Sequence, residues 1–425
     1  MSKTIGYCTL GCKLNYAETD AIARLMGKEG YERVDFNQKA DYYVINTCSV
    51  TESANKKSRY VIRKAHKKNP EAKIIVVGCY AQLKPEEISK VEGVKLILGA
   101  KDKFLVPKLI KHSELDEPVF STCRIEEVEN FQHSYSLESR TRTFLKVQDG
   151  CDYKCSYCTI PFARGRSRNP NISQLIEQAK NIAQNGSKEI VLTGINIGDF
   201  GKSTGDSFLD LIKELDKVEG IERYRISSIE PNLLTHEIID FVANSHRFMP
   251  HFHIPLQSGC NEVLQLMKRR YNRELFAERV YAIKERMPHA HIAADVIVGT
   301  NGETEEYFKE TQTFITNLPL SALHVFTYSE RLGTEALDIP HVVPVHERNE
   351  RSRILHEVSD RLQMNFNREF NGEKRPVLWE GKEKDGIITG FTDNYIKVHS
   401  KVKNVSANTI SCVELHIVGD KVWGV

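Results

Sequence analysis

At 425 residues the chain is long enough for two or three domains with sizeable cores. Its 59 Lys/Arg against 57 Asp/Glu leave a net charge of +2, so total charge identifies no polyanionic partner and any basic surface must be local. Ten cysteines, no apolar run near the roughly 18 residues of a membrane span, and Met1-Ser2-Lys3 running straight into an apolar strand are expected of a cytoplasmic protein without a membrane partner, its thiols used for metal.

Residues 1–130 alternate short β-rich runs at 4–9, 42–46 and 73–77 with helical patterns at 17–28, 51–68 and 85–90. That order predicts a doubly wound parallel sheet, which gathers ligands at the carboxyl ends of its strands. Three of those ends carry a cysteine, Cys12, Cys48 and Cys79, and Gly11 and Gly78 beside them permit close backbone approach to a bulky group. Each cysteine could instead be a small buried apolar residue. Their shared placement favours one three-thiolate metal site, with Cys8 inside the first strand as a decoy. The pattern loosens over 114–142, where Asp116-Glu117-Pro118, Arg140 and Arg142 suggest a linker. We therefore expect domains over 1–130, 137–370 and 372–425.

A strand at 144–148 leads into Cys151-Asp152-Tyr153-Lys154-Cys155-Ser156-Tyr157-Cys158. The C-x3-C-x2-C spacing converges three soft ligands on one site, and three thiolates on a four-iron cluster leave one iron open for chemistry. A closed zinc site would want a fourth Cys or His, and the next histidine is distant His236; a zinc loop or unpaired thiols are the alternatives. Further strands at 189–192, 224–227, 251–254, 293–298 and 323–326 make six, predicting a partial (β/α)6 barrel with its chemistry at the strand C-termini. There lie Gly194, Asn196, Ser228, Glu230, Gln257 and Val298 as candidate cofactor contacts, although Gly194 could serve a tight turn and Glu230 a helix cap. His251 and His253 share one face of their strand, so a metal pair is also conceivable.

A polar helix over 345–370 leads to five short β-like stretches in 372–425, the pattern of a small barrel of the OB type. Lys397, Lys401 and Lys403 are its candidate phosphate contacts and Tyr395 a stacking residue; a barrel binding protein instead of RNA is the alternative. Basic groups elsewhere include Lys56 and Arg63 after Cys48, Arg164, Arg166 and Arg168 after Cys158, and Arg270 in the Lys268-Arg269-Arg270 run. Such runs are often solvated helix faces, but two of them flank the cysteine loops, which favours substrate RNA.

Together the two cysteine sets resemble, over essentially the whole chain, the methylthiotransferases of the radical S-adenosylmethionine (SAM) superfamily. The resemblance implies an α/β chain carrying two 4Fe-4S clusters. Cys12, Cys48 and Cys79 would hold an auxiliary cluster that provides sulfur, and Cys151, Cys155 and Cys158 the cluster that cleaves SAM. It also implies Tyr157 beside the SAM adenine, the 193–196 turn near its methionine portion, and a second SAM as methyl donor. An electron donor such as flavodoxin or ferredoxin and a C-terminal TRAM-like RNA-binding domain are implied too. Thr9-Leu10-Gly11-Cys12-Lys13-Leu14-Asn15 and Ala163-Arg164-Gly165-Arg166-Ser167-Arg168 look like the branch acting on threonylcarbamoyladenosine beside the anticodon of ANN-decoding tRNA. The branches acting on isopentenyladenosine or on a ribosomal protein, and a non-catalytic iron–sulfur protein that binds RNA or senses redox state, are the competing readings. Thr300-Asn301 stands where the family more often has Phe-Pro, so that loop carries no assignment.

Overall fold

The computed structural model describes residues 2–111, 117–137, 141–384, 386–401 and 405–425. Lys403, Asp116 and Arg140, singled out above, lie outside the described residues. Among the described residues no helix is long and apolar enough to cross a membrane.

The N-terminal sheet holds β1 (Thr4–Thr9), β2 (Glu32–Val34), β3 (Tyr42–Thr47), β4 (Lys73–Gly78), β5 (Val94–Leu98) and β6 (Val119–Ser121), all parallel in the order β2-β1-β3-β4-β5-β6. β3 and β4 read as apolar runs because both faces are covered. Ile74 and Val76 pack into one core and Ile75 and Val77 into the other. Three strands escaped the periodicity. β2 and β6 are three-residue edge strands with exposed positions, and the apolar run of β5 cannot be told from buried helix by pattern alone. Helices α1 (Lys13–Lys28), α2 (Glu52–Lys68) and α3 (Cys79–Leu83) each start just beyond a strand end. Thr51 caps α2 by accepting from the Ala54 N–H at 3.2 Å, and Lys67 and Lys68 in its last turn oppose the helix dipole.

The central strands β7 (Thr143–Lys146), β8 (Glu189–Thr193), β9 (Arg223–Ile226), β10 (His251–Gln257), β11 (His291–Val298) and β12 (Ala322–Thr327) are parallel and in chain order. β9 meets β10 through parallel bridges at Tyr224–Phe248 and Ser228–His253, giving an open six-strand barrel. Leu145, Ile190, Leu192, Ile226, Phe252, Ile254, Ala294 and Val296 face the surrounding helices and form the main core. By strand alternation the lumen then receives Phe144, Val191, Arg225, His251, His253 and Asp295. Helix α1 closes the open side, setting Tyr16 and Ala17 against Phe144 and Val191. A polar lumen capped by another domain is the frame of the site.

The Val345–Glu369 helix packs along β12 and leads to a closed barrel of β13 (Lys374–Lys384), β14 (Ile387–Thr392), β15 (Lys397–Ser400), β16 (Ile410–Val418) and β17 (Lys421–Gly424). It docks on the N-terminal ends of the central strands. Arg223 donates to the Pro376 carbonyl at 2.8 Å, and Arg225 to the Thr392 carbonyl at 2.7 Å. Tyr395 lies 4.1 Å from His251, ring centre to ring centre, and stacks on Phe391. Tyr395 is thus a docking residue, correcting the expectation that it stacks on a base. The seven residues of β10 put roughly 20 Å between this barrel's seat and the strand C-termini.

Candidate functional site

β1, β3 and β4 are neighbours in the sheet, with Thr9 opposite Asn46 and Thr47 opposite Gly78, so Cys12, Cys48 and Cys79 leave one edge side by side. The glycines make that edge possible. Gly11 has φ +95°, and a Cβ there would lie 2.7 Å from Cys48 Cβ. Gly78 has φ +99°, and a Cβ there would lie 2.4 Å from Asn46 Oδ1. Asn15 locks the loop by donating to the Leu10 carbonyl at 2.8 Å and the Thr47 carbonyl at 3.2 Å. Cys12 keeps accessible surface although desolvation dominates its surroundings, so it faces an internal chamber. Cys8 packs half-buried against the sheet core.

The second set sits on a loop beyond β7. Gly150, at φ +71°, crosses so close to Arg166 that any side chain would collide with its carbonyl. The Tyr153 N–H points to Cys151 Sγ at 3.3 Å, the Ile160 N–H to Cys158 Sγ at 3.5 Å, and Arg269 donates to Cys155 Sγ at 3.0 Å. Burial pushes the Cys48, Cys151 and Cys158 thiols up to about 12. All ten cysteines are free thiols. Among the described residues the groups with three ligand atoms within 4.8 Å of one another are His253/Asp295/His324 and Cys260/Glu262/Glu310, and neither cysteine trio is among them. Three soft ligands on each side, with N–H groups aimed at sulfur in the second set, fit an iron–sulfur cluster that spreads its ligands over separate irons.

A buried knot of charge ties the two loops together. Glu18 of α1 accepts from Lys103 at 2.5 Å and from Lys146 and Arg164 at 3.1 Å, and Asp149 accepts from Lys146 at 2.6 Å, Arg164 at 3.0 Å and Arg168 at 3.1 Å. Arg164 also donates to Asn15 Oδ1 at 2.6 Å. Desolvation pushes the Glu18 carboxyl up, but Arg164, Lys103 and Lys146 outweigh it and hold it well below the carboxylate range. The helix after Cys158 packs on α3, which begins at Cys79. A cleft of about 200 Å³ opens between the domains, lined by Val50, Thr51, Tyr157, Cys158, Gln257 and Asp295. Cys158 of the second set lines it directly, and Val50 and Thr51 bring in the segment that follows Cys48 of the first.

The candidate cofactor contacts converge on the same end of the barrel. Asn196 is buried with both side-chain polar atoms unpartnered, an orphaned pair suited to a polar ligand. Its backbone and that of Ile195 are fixed by Gln148 Oε1 at 2.9 Å, an approach that a Cβ on Gly194 would crowd. Glu230 is ion-paired with Arg269, burial pushing its carboxyl up against the pull of that guanidinium. Tyr157 packs on Cys260, Val263 and Met267. Gln257 holds φ +65° at a bulge in β10, Ser228 bridges to His253, and Val298 ends β11 in the core. His253 and His324 share Asp295 Oδ1 at 2.6 and 3.1 Å, whereas His251 packs on Tyr395; the two strand histidines do not pair. Sequence reasoning put Arg269 in a basic run facing RNA, whereas its side chain is buried on Glu230 and Cys155, and it gave no role to Asn15, Glu18 or Asp149, because a polar residue bound for the interior carries no pattern of its own.

Arg164 and Arg168 overturn their expected role: both are buried and their terminal guanidinium nitrogens are committed to carboxylates, carbonyls and Asn15, which turns them away from any phosphate outside. Arg166 between them is exposed, as are Lys56 and Arg63 on one face of α2, Arg270 over the Tyr153 ring, and Lys397.

Residues 4–99 match the family described as "Uncharacterized protein family UPF0004", and residues 145–315 match the radical SAM superfamily. The chain is 42% identical to the threonylcarbamoyladenosine tRNA methylthiotransferase MtaB of Bacillus subtilis, across 93% of this chain and 90% of that one. It is 37% identical to the MtaB of Aquifex aeolicus, across 93% and 96%. It is 33% identical to a tRNA-2-methylthio-N(6)-dimethylallyladenosine synthase of Syntrophomonas wolfei, across 95% and 93%. Among solved structures, the radical S-adenosylmethionine methyltransferase TsrM of Kitasatospora setae shares the fold with a TM-score of 0.57 at 14% identity, covering 76% of this chain and 73% of that one.

Proposed function

This chain belongs to the radical SAM methylthiotransferases, transferases that modify tRNA, and from that premise we propose that it converts N6-threonylcarbamoyladenosine beside the anticodon to its 2-methylthio derivative. The observation that carries the reading is the pair of thiol trios, one at neighbouring strand ends and one in a single loop, tied together through Arg164, a layout that suits two separate iron–sulfur centres. The higher identities to relatives named for threonylcarbamoyladenosine, 42% and 37% against 33%, support the choice of base. When bound, an iron–sulfur cluster with SAM supplies the radical needed to break an unactivated C–H bond, and a second cluster supplies sulfur.

The protein's own share is placement. In this reading Cys151, Cys155 and Cys158 hold the SAM-cleaving cluster and Cys12, Cys48 and Cys79 the auxiliary one. Asn196, Glu230, Gln257 and Tyr157 orient SAM, while Gly194, Ser228 and Val298 shape the strand ends beneath it. Arg269 links the Cys155 sulfur to Glu230 and fixes both. Val50 and Thr51 wall one side of the cleft, which would shield the reacting base from water. Lys56, Arg63, Arg166 and Arg270 would meet RNA phosphate near the cleft. Lys397, on the far side of the barrel, would meet a more distant part of the tRNA. A flavodoxin or ferredoxin serves as electron donor in this reading.

Reconstituted protein given SAM, a strong reductant and an anticodon stem-loop bearing threonylcarbamoyladenosine tests this directly. Mass spectrometry should show the methylthio nucleoside, and the loaded chain should bind about eight irons. Methylthiolation of isopentenyladenosine instead would move the chain to the other tRNA branch. Replacing Cys12, Cys48 and Cys79 with Ala should leave 5′-deoxyadenosine formation in part and stop methylthiolation.

A further inference from the structure

The lumen beneath the thiol trios is lined with charge, and nearly all of it is matched. Arg142 is paired with Glu380 and meets the Tyr395 hydroxyl at 3.4 Å; Arg225 is paired with Glu189 at 2.8 Å. Asp295 is shared by His253 and His324. Lys13 is different. It follows Cys12 directly, opens α1 at the barrel's uncovered side, and is half-buried within electrostatic reach of Asp295, Tyr395, Arg142 and Arg225. Among the described residues it has neither a hydrogen-bond nor an ion-pair partner. A half-buried ammonium that no carboxylate contacts directly can take an incoming anion.

Lys13 stands beside a cluster ligand of one trio and in reach of Asp295, which lines the cleft together with Cys158 of the other. A group that meets this ammonium would therefore reach into the lumen from the cleft. In N6-threonylcarbamoyladenosine the ureido N–H can bond to N1, which lays the threonyl group along the Watson–Crick edge beside C2 and carries its carboxylate inward with the base. A phosphate of the RNA backbone stays outside when the base is turned in.

We propose that Lys13 is the specificity residue that receives the carboxylate of the threonylcarbamoyl group in the barrel lumen. His253 and His324 sit on Asp295 with their remaining ring nitrogens free to meet the polar groups of the same substituent. A neutral isopentenyl group offers nothing to the ammonium, so the site favours the charged base. The inference rests on the function proposed above, and SAM, whose methionine portion also carries a carboxylate, is the other source of the same chemistry.

The test uses the reconstituted full chain and three anticodon stem-loops, bearing threonylcarbamoyladenosine, its neutral methyl ester, and plain adenosine, with affinity read by fluorescence anisotropy. Wild type should bind the acid roughly tenfold or more tighter than the ester, the span expected of one charge-assisted hydrogen bond. Lys13→Met should bind acid and ester alike and Lys13→Arg should restore much of the preference, with iron content and SAM affinity unchanged in both. No acid-over-ester preference in wild type overturns the proposal without any variant having to fold. So does a preference that persists in Lys13→Met, or a loss that falls on SAM affinity instead. If wild type shows the acid preference in binding yet does not methylthiolate that RNA, the function proposed above fails while the carboxylate site stands.

Discussion

Glu18→Gln is the sharpest test of how the two halves of the site are held together. Glu18 is fully buried and accepts from Lys103, Lys146 and Arg164 at 2.5 to 3.1 Å, with Asp149 as the remaining carboxylate in the knot. Removing its charge leaves four cations around one anion, and breaking a buried pair by deleting one partner costs about 3–5 kcal/mol. For a unit of this size that lowers the thermal midpoint by roughly 10 °C. Because the folded carboxyl is held far below its unfolded value of about 4.3, the contribution is complete above that pH and is lost only as pH falls through the strongly acid folded value. The difference between wild type and variant should therefore be flat from pH 5 to 8. Urea denaturation followed by circular dichroism gives the free energy, and hydrogen exchange of the α1 amides locates it. A second substitution, Lys103→Met, should recover part of the loss when combined with Glu18→Gln. A loss under about 1 kcal/mol, or none of it in α1, refutes the reasoning.

His291 is buried, and desolvation pushes its imidazole down to about 3. The unfolded chain takes up a proton below about 6.5 that the folded one refuses, so stability falls from there toward pH 3, by about 2 kcal/mol at pH 5; His291→Gln should flatten that slope in urea titrations, and equal slopes would count against the assignment. Gly78→Ala forces a strained φ and a collision with Asn46 and Thr47, so it should reduce bound iron toward half while 5′-deoxyadenosine formation persists. Tyr395→Ala should cost about 2–4 kcal/mol by loosening the C-terminal barrel from His251. Lys397→Ala should leave stability within about 0.5 kcal/mol and reduce the salt slope of tRNA binding by about one.

The cysteine sets were legible because two rules place them without tertiary detail. One set lies in a single loop at a ligand spacing, and the other lies at three strand ends that parallel topology makes neighbours. The fate of charged residues was not legible. In Arg164-Gly165-Arg166-Ser167-Arg168 a short helix ends at Arg164, Gly165 turns the chain at φ +77°, and Arg168 bridges to Asp149, so the outer guanidiniums reach carboxylates while Arg166 in the bend faces water; the bare sequence shows only a basic run. Tyr395 follows Asp393 and Asn394 and reads as an exposed turn. Its φ of +69° instead aims the ring into the base of the neighbouring barrel. Strands β2 and β6 were missed for a related reason, since an edge of three residues has too little apolar pattern to be seen.

The knot also bears on why this interior is charged at all. Well-packed apolar side chains in place of Glu18, Asp149, Lys146 and Arg164 would be neutral or more stable in many proteins, so stability alone does not account for them. Apolar surfaces, however, slide; a guanidinium committed to Asn15, Glu18 and Asp149 does not. Arg164 lies six residues after Cys158 and Asn15 three after Cys12, so its bonds set the separation and register of the two thiol loops. Arg164→Met tests this against a purely structural role. A structural residue would lower thermal stability and leave iron per folded chain unchanged. A register-setting residue should also uncouple the chemistries, with 5′-deoxyadenosine still formed and less methylthio product per equivalent of it. Equal product yield per deoxyadenosine in Arg164→Met and wild type would show that the loops hold their spacing without it.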